Sequence, residues 1–401
     1  MFKEWSPLLG IGCALAACLW LVKRRNMKKN LDRFIRPTVE FKAFPSVKLQ
    51  GARTVLVTGG NGFLGKYIAN FLADKRINVI VFDLAIPEEN DRRKDITYIR
   101  GNILDAEHLR KALTVVESVE SVIHTASLIP YLGVPDEAIW TVNVGGTKNL
   151  LSACSQNGVK YFIYTSSATA AIDRSSRVVQ TMDETAPAPS KFVDTYAATK
   201  SAAESIVLEA NNCSGLVTCC LRPGGIFGKG DKLIADKLLK GLDLVYIGDG
   251  SARIDFVPVE SVALAHVLAE ETLFSDPHRR AKMQGCFYFI GNNEQRKYGW
   301  FMGAPMDDDS DGGRFSHWGQ PRPKQLPLWL VMMLGYANVA IYNLVGITVF
   351  PPSLAPSLVD WTQRTYTFSS DRANRDFGYV PKEKLADAIK RLAAGQLRPE
   401  P

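Results

Sequence analysis

The 401-residue chain is short of the groupings from which metal sites and disulfide frameworks are built. Its seven cysteines, Cys13, Cys18, Cys154, Cys213, Cys219, Cys220 and Cys286, are odd in number and include no C-x-x-C pair. Adjacent Cys219 and Cys220 fall in an expected strand, so the pattern argues for reduced, buried thiols on a cytosolic face. The five histidines form no ligand cluster, and His124, closing the strand Ser121-Val122-Ile123, reads as a satisfied strand-end residue. Asp307-x-Asp309-x-Asp311-Gly312 opens like a calcium loop, but Trp318 stands where the bidentate Glu belongs. No metal is expected. The charge excess is only +7, much of it in one cluster behind the first apolar segment, which argues against a nucleic-acid partner. No low-complexity tract breaks the body, and 46% hydrophobic residues suffice for one large α/β core with a smaller lobe.

What the chain does have begins at Thr54. The run Thr54-Val55-Leu56-Val57 ends in Gly59-Gly60-Asn61-Gly62-Phe63-Leu64-Gly65, and an apolar stripe at helical spacing continues through Tyr67, Ile68, Phe71 and Leu72. Strand, glycine turn and helix place a pyrophosphate on a helix N-terminus. Gly59 permits the tight turn, Gly62 lets backbone N–H groups approach phosphates, and Gly65 packs helix on strand. Asn61, Phe63 and Leu64 belong to the same cradle. A glycine motif alone can be only a turn, but here the next strand, Asn78-Val79-Ile80-Val81-Phe82, delivers Asp83 about twenty residues on. A carboxylate there accepts from ribose hydroxyls and repels a 2′-phosphate, and no Arg follows among Leu84, Ala85 and Ile86. NAD is expected over NADP.

Candidate chemistry lies in Thr165-Ser166-Ser167 and Tyr196-Ala197-Ala198-Thr199-Lys200. Residues i and i+4 share a helix face, so Tyr196 and Lys200 project together. A phenol titrates near ~10 unperturbed. A neighbouring ammonium and a nicotinamide cation both favour the phenolate and make it a usable base. Ser167 follows the strand Tyr161-Phe162-Ile163-Tyr164, at the carboxyl end where α/β sheets bind ligands. It can hold a substrate oxygen while Tyr196 takes the hydroxyl proton.

This order of motifs resembles the extended short-chain dehydrogenases/reductases. The likeness runs from about Arg53 to about Leu392 and includes Gly101-Asn102-Ile103-Leu104-Asp105, Val122-Ile123-His124-Thr125-Ala126-Ser127, Asn143-Val144-Gly145-Gly146-Thr147 and Leu221-Arg222-Pro223-Gly224-Gly225-Ile226-Phe227-Gly228. The resemblance implies Asn102 and Ile103 near adenine, Thr125 and Ala126 on the nicotinamide side, and Pro223 near the carboxamide. It also implies Asn143 as a structural or proton-relay residue, with Ser167, Tyr196 and Lys200 as the catalytic set. Within that group the chain looks most like 3β-hydroxysteroid dehydrogenases, particularly the decarboxylating sterol-4α-carboxylate 3-dehydrogenases. Thr165-Ser166-Ser167-Ala168-Thr169, Ile226-Phe227-Gly228, Gly248-Asp249-Gly250 with Asp255-Phe256, and Phe368-Ser369 ahead of Gly378-Tyr379 carry this likeness. Nucleotide-sugar epimerases usually place Arg directly before the Asp-aromatic pair; here Ile254 does so, with Arg253 one step back. Ala170-Ala171-Ile172 likewise replaces their Tyr-Gly, and both departures point toward an apolar substrate.

The first apolar segment, Pro7 to Val22, is uncharged and is followed by Lys23, Arg24, Arg25, Lys28 and Lys29. With its flanks it approaches the ~20 residues that span a bilayer. The basic flank then leaves the enzyme on the cytosolic side, with the endoplasmic reticulum as the expected membrane. A second tract, 325–359, has no charged residue before Asp360. A full crossing would strand the tail that carries Phe368 to Tyr379, so an interfacial helix pair contacting lipid is the expectation, with a buried helix of the lobe as the alternative.

The expected organisation is an anchor with its basic flank (1–29), a linker (30–52) and one extended dehydrogenase domain (53–398). Its fold is a doubly wound parallel sheet of the NAD(P)-binding Rossmann type, with strands near Val55, Val79, Tyr98, Val122, Phe162 and Val217. The core takes 53–223 and about 252–275; a smaller substrate lobe takes mainly 224–251 and 276–398. The expected activity is NAD-dependent oxidation of a steroid or sterol 3β-hydroxyl, with decarboxylation of a 4-carboxysterol. A Δ5-steroid dehydrogenase/isomerase and a nucleotide-sugar epimerase or dehydratase are the alternatives. A non-catalytic NAD-binding scaffold is opposed by intact Ser167, Tyr196 and Lys200. Lipid and a steroid are the expected partners, and a homodimer is allowed.

Overall fold

Eight short strands form the sheet on which the molecule is built. The computed structural model describes residues 31–37, 39–45, 53–130, 134–232, 234–240, 245–306, 316, 318–345, 349–350 and 354–395. The strands are β1 (Lys42–Phe44), β2 (Thr54–Thr58), β3 (Asn78–Asp83), β4 (Ile96–Arg100), β5 (Ser121–His124), β6 (Tyr161–Thr165), β7 (Val217–Pro223) and β8 (Cys286–Ile290). Their order is β1-β4-β3-β2-β5-β6-β7-β8, all parallel except β1, which runs antiparallel to β4. Every residue of β2, β5 and β6 is buried, as expected of a parallel sheet covered on both faces.

Helices α1 (Phe63–Asp74), α2 (Ala106–Leu113), α3 (Gly146–Gln156), α4 (Thr195–Glu209) and α5 (Val259–Ser275) cover the sheet. Ile68 and Leu72 of α1 and Val262 and Val267 of α5 join one core layer; Leu109 of α2, Leu150 of α3 and Val207 of α4 join the opposite one. Side chains start two of these helices. Asp105 accepts from the N–H groups of Glu107 and His108 at 2.9 and 3.1 Å, and Asp194 from that of Ala197 at 2.8 Å.

The lobe carries a four-stranded sheet of Arg296–Lys297, Arg253–Ile254, Thr365–Phe368 and Val178–Met182, and an aromatic core in which Phe256 stacks on Phe301. Its boundary differs from the sequence reading. Cys286–Ile290 lies in the span assigned to the lobe, yet it extends the core sheet beside β7. Lys42–Phe44, read as linker, is an edge strand. Phe368 stays in the lobe sheet, whereas Phe377 and Tyr379, expected there too, pack into the layer of α1 and α5. The tract 325–359 takes in helix α6 (Leu328–Val345) and most of α7 (Pro356–Trp361), which are in contact with each other. Among the described residues no helix is long and apolar enough to cross a membrane. The segment Pro7 to Val22, linker residues 30, 38 and 46–52, and the acidic loop from Asp307 to Gly312 lie outside the described residues.

Candidate active site

Parallel strands end side by side, and here each strand end supplies one candidate. In spatial order β4, β3, β2, β5, β6 and β7 are followed or closed by Asn102, Asp83, Gly59, Thr125, Ser167 and Pro223. The chain reverses direction across the sheet between β2 and β5, the point at which doubly wound sheets open a ligand crevice.

At β2 the turn is held by close backbone approach. Gly59 has φ of +68°, and a Cβ on it would lie 2.7 Å from Ala126 N, so no larger residue fits. A Cβ on Gly65 would lie 2.2 Å from Gly59 O, which is why α1 can start against the turn. Gly62 caps α1 without a side-chain acceptor, and the first turn, with Phe63 and Leu64, has no acidic residue. Its N-terminal N–H groups are therefore left for an anion. Asp83 accepts from Asn61 N at 3.1 Å and Ala85 N at 3.2 Å. Burial raises its carboxyl above the ordinary value, and those N–H groups oppose the rise. The Asn61 amide closes the loop onto Ala85 O at 3.1 Å. Beside this pocket Asn102 is buried and braces Leu104 N at 2.9 Å, with Ile103 buried next to it. Thr125 is tied back to Thr58 O through both its N–H and its hydroxyl. A bare helix N-terminus, a carboxylate at the second strand end and apolar walls at the third fit an adenine dinucleotide.

At the other end of the row, Lys200 is 2% exposed and donates from Nζ to Thr165 O at 2.8 Å. Its ammonium lies 4.9 Å from the Tyr164 ring centre and 5.8 Å from that of Tyr196. Burial pushes Lys200 down to about 7, while Glu204 and Cys220 act in the opposite sense. Glu204, one turn further along α4, is locked to Arg222 at 2.9 and 2.5 Å. Ser167 Oγ lies 2.8 Å from Thr169 Oγ1 and caps the short turn Ala168–Ala171. Asn143 donates to Leu128 O and Thr199 Oγ1, each at 3.1 Å, and accepts from Leu128 N at 2.7 Å. It thus braces the Ser127–Leu128 segment against α4. His124 is fully buried between Thr58 Oγ1 at 2.6 Å and Thr147 Oγ1 at 3.0 Å, so both ring nitrogens are satisfied.

The fold therefore brings every candidate to one edge of the sheet. It adds contacts that the motifs do not assign: Thr165 under Lys200, Glu204 with Arg222 behind it, and His266 behind Thr165. Glu204 was accessible by extending the Tyr196–Lys200 spacing one more turn. His266 carried no signal, being a lone histidine on an apolar helix. Of the five cysteines among the described residues, Cys154, Cys219 and Cys220 are buried, but Cys213 is exposed, against the expectation that all are interior.

A model of the 3-beta hydroxysteroid dehydrogenase/isomerase family matches residues 56–305. The chain is 35% identical over 364 residues to Arabidopsis thaliana 3beta-hydroxysteroid-dehydrogenase/decarboxylase isoform 1, covering 84% of this chain and 78% of that protein. It is 34% identical over 338 residues to the Mycobacterium tuberculosis 3 beta-hydroxysteroid dehydrogenase/Delta 5-->4-isomerase, covering 82% and 86%. In architecture it is similar to Thermus thermophilus UDP-glucose 4-epimerase complexed with NAD, with a TM-score of 0.61, 23% identity and coverage of 85% and 98%. That last likeness concerns the fold; the sequence relatives and the family match go further, and by them the chain belongs to the 3-beta hydroxysteroid dehydrogenase/isomerase family.

Proposed function

We propose that the protein oxidises the 3β-hydroxyl of a steroid or sterol with NAD. The observation that carries this reading is the row of strand ends. Asp83, which would accept from the adenosine ribose, lies on one side of the glycine turn and Ser167 on the other, where Lys200 of α4, with Tyr196 on the same helix, reaches the end of β6 through Thr165 O. NAD would be held by the first turn of α1, by Asp83 and by the walls at Asn102, Ile103, Thr125, Ala126 and Pro223. When bound it supplies the hydride acceptor. The chain's own part is proton transfer and positioning. Ser167 holds the substrate oxygen, Tyr196 takes its proton, and the buried Lys200 ammonium stabilises the phenolate.

Oxidation at C3 beside a C4 carboxylate yields a β-keto acid, which loses CO2 without a further catalytic residue. This supports a 4-carboxysterol as substrate, in keeping with the dehydrogenase/decarboxylase relative. The test is NADH formation with a 4-carboxysterol, a plain Δ5-3β-hydroxysteroid and UDP-galactose, with CO2 measured for the first. Turnover with the nucleotide sugar alone would overturn the reading. Turnover of the Δ5-steroid to a conjugated ketone would favour the dehydrogenase/isomerase alternative.

A membrane site is part of the same proposal. Helix α6 exposes Trp329, Met333, Tyr336 and Leu344 to 69%, 54%, 61% and 67%. Together they make a one-sided apolar stripe that suits the acyl–headgroup boundary. With Pro7 to Val22 as an anchor, the enzyme would sit on the cytosolic side of the endoplasmic reticulum, next to a substrate dissolved in lipid. Recovery in the soluble fraction without detergent would overturn this part.

A further inference from the structure

Thr165 closes β6 and uses its two polar groups in opposite directions. Its carbonyl oxygen accepts from Lys200 Nζ at 2.8 Å. Its hydroxyl lies 2.8 Å from His266 Nε2, and His266 Nδ1 lies 2.8 Å from Val262 O. A carbonyl only accepts, so Nδ1 carries the ring hydrogen, Nε2 is the acceptor and Thr165 Oγ1 donates. His266 is fully buried, and burial, with the Lys200 charge adding to it, holds the ring down to about 4. It is neutral at neutral pH, as an acceptor at Nε2 must be.

The three residues span the sheet. Tyr161 and Ile163 of β6 face the layer that contains α5, while Phe162 and Tyr164 face the layer that contains α4. Thr165 continues the first series, because side chains alternate along a strand. His266 on α5 therefore reaches the strand end from the face opposite the helix that carries Tyr196 and Lys200.

We propose that His266 is a positioning residue that acts on the Tyr196–Lys200 pair through Thr165. Together with Ser166 N, which donates to Leu221 O at 2.7 Å, the tether holds the peptide whose carbonyl anchors the Lys200 ammonium, close to the strand exit from which Ser167 emerges two residues later. The inference rests on the catalytic reading of Tyr196 and Lys200 above. The charged and titratable groups around Lys200 are Tyr196 and Glu204 on its own helix, Arg222 and Cys220 on β7, Tyr164 on β6, His124 on β5 and His266 on α5. Glu204 is committed to Arg222, which leaves Thr165 O as the neutral anchor that sets where the ammonium stands. Without the tether only the bond from Ser166 N holds that peptide, so its Thr165 side can shift and carry the ammonium away from the phenol. The phenolate is then less stabilised, and the acid limb of the rate profile moves to higher pH.

The experiment compares the full chain with Thr165→Val, Thr165→Ser and His266→Phe at saturating NAD, across the pH range. Thr165→Val keeps the shape and the carbonyl but removes the hydroxyl. We expect its kcat to fall by about tenfold, with the sterol KM changed by less than about twofold. The acid limb of kcat/KM should move up by roughly half a pH unit or more, and Thr165→Ser should restore both. A Thr165→Val protein that melts at a lower temperature but keeps the wild-type kcat and acid limb would overturn the proposal, because the contact would then be packing alone. Should His266→Phe not fold, Thr165→Val still decides. Tyr196→Phe is run beside them: full turnover there sinks the catalytic reading itself, whereas an inactive Tyr196→Phe with an unchanged Thr165→Val sinks only the tether.

Discussion

In the proposed reaction a phenol and an ammonium one helical turn apart divide a single proton transfer, and each depends on where the other is held. Lys200 is charged at a cost, since burial pulls it down to about 7. A phenolate on Tyr196 would offset part of that cost, so each charge favours the other. Tyr196→Phe retains the ring and the packing while removing the ionisable oxygen. Turnover should drop by roughly 10²–10⁴-fold with NAD affinity nearly unchanged, as measured by steady-state rates and by cofactor titration. On the other side of the glycine turn, Asp83 accepts from two backbone N–H groups, and its remaining lone pairs would serve the ribose hydroxyls in the proposed reading. Asp83→Asn removes the repulsion toward a 2′-phosphate together with part of the acceptor capacity. The ratio of kcat/KM for NAD over NADP should therefore fall, and a wild-type preference for NADP would contradict the role given to Asp83.

Helix α6 is an element whose two faces answer to different environments. Its inner face is fastened by Asn338, which accepts from Val349 N at 2.9 Å and Phe350 N at 3.1 Å and donates to Phe350 O at 3.0 Å. At Gly335 a Cβ would lie 2.3 Å from Leu354 O, so the returning chain runs directly against the helix. An uncharged tract long enough to invite a spanning assignment is thus folded back on itself. The outer face, with Trp329 and Met333, has no such obligations. Trp329→Glu with Met333→Glu should leave the melting temperature nearly unchanged, because exposed substitutions cost within roughly 0.5 kcal/mol each. The same pair should loosen binding to phospholipid vesicles, seen as easier release by high salt or alkaline carbonate, since two charges then face the acyl boundary. Unaltered retention would mean that the stripe does not touch lipid.

Across the whole molecule, core and lobe are joined at Asp255. Its carboxylate accepts from Asn292 N at 3.2 Å and Phe368 N at 3.3 Å, and its own N–H donates to Tyr366 O at 3.2 Å. One residue thereby links the exit of β8 to the lobe strand Thr365–Phe368. Burial raises its carboxyl from 3.8 to about 7, against the opposing pull of those two N–H groups. The folded state then holds a proton that the unfolded state releases, so the contribution of Asp255 to stability is complete below its unfolded value and is lost as pH rises toward 7. His124 and His266, depressed by burial to about 3 and about 4, act in the opposite sense over an overlapping range. The difference between wild type and Asp255→Asn isolates the carboxyl. Urea unfolding should show the wild type losing about 1–3 kcal/mol relative to the variant between acid and neutral pH. A difference that does not vary with pH would show that Asp255 does not titrate in this way.

The cofactor turn, the Asp83 strand end and the Tyr196–Lys200 pair were legible in the sequence because each is local. Strand, turn and helix follow one another without an excursion, and a four-residue spacing on a helix sets a shared face whatever the helix packs against. The same holds for the alternation of strands and helices that dictates a parallel sheet. Pairings between distant segments were not legible. The apolar run Cys286–Ile290 reads alike whether it joins lobe or core, and only the open edge of β7 decides. Lys42–Phe44 became a strand because β4 offered it an edge. His266 meets Thr165 across 101 residues of chain, and a single histidine on an apolar helix announces no partner. Spacing along the chain specifies the groups that share one element; which groups meet between elements is specified by burial and by the hydrogen bonds that buried polar atoms must complete.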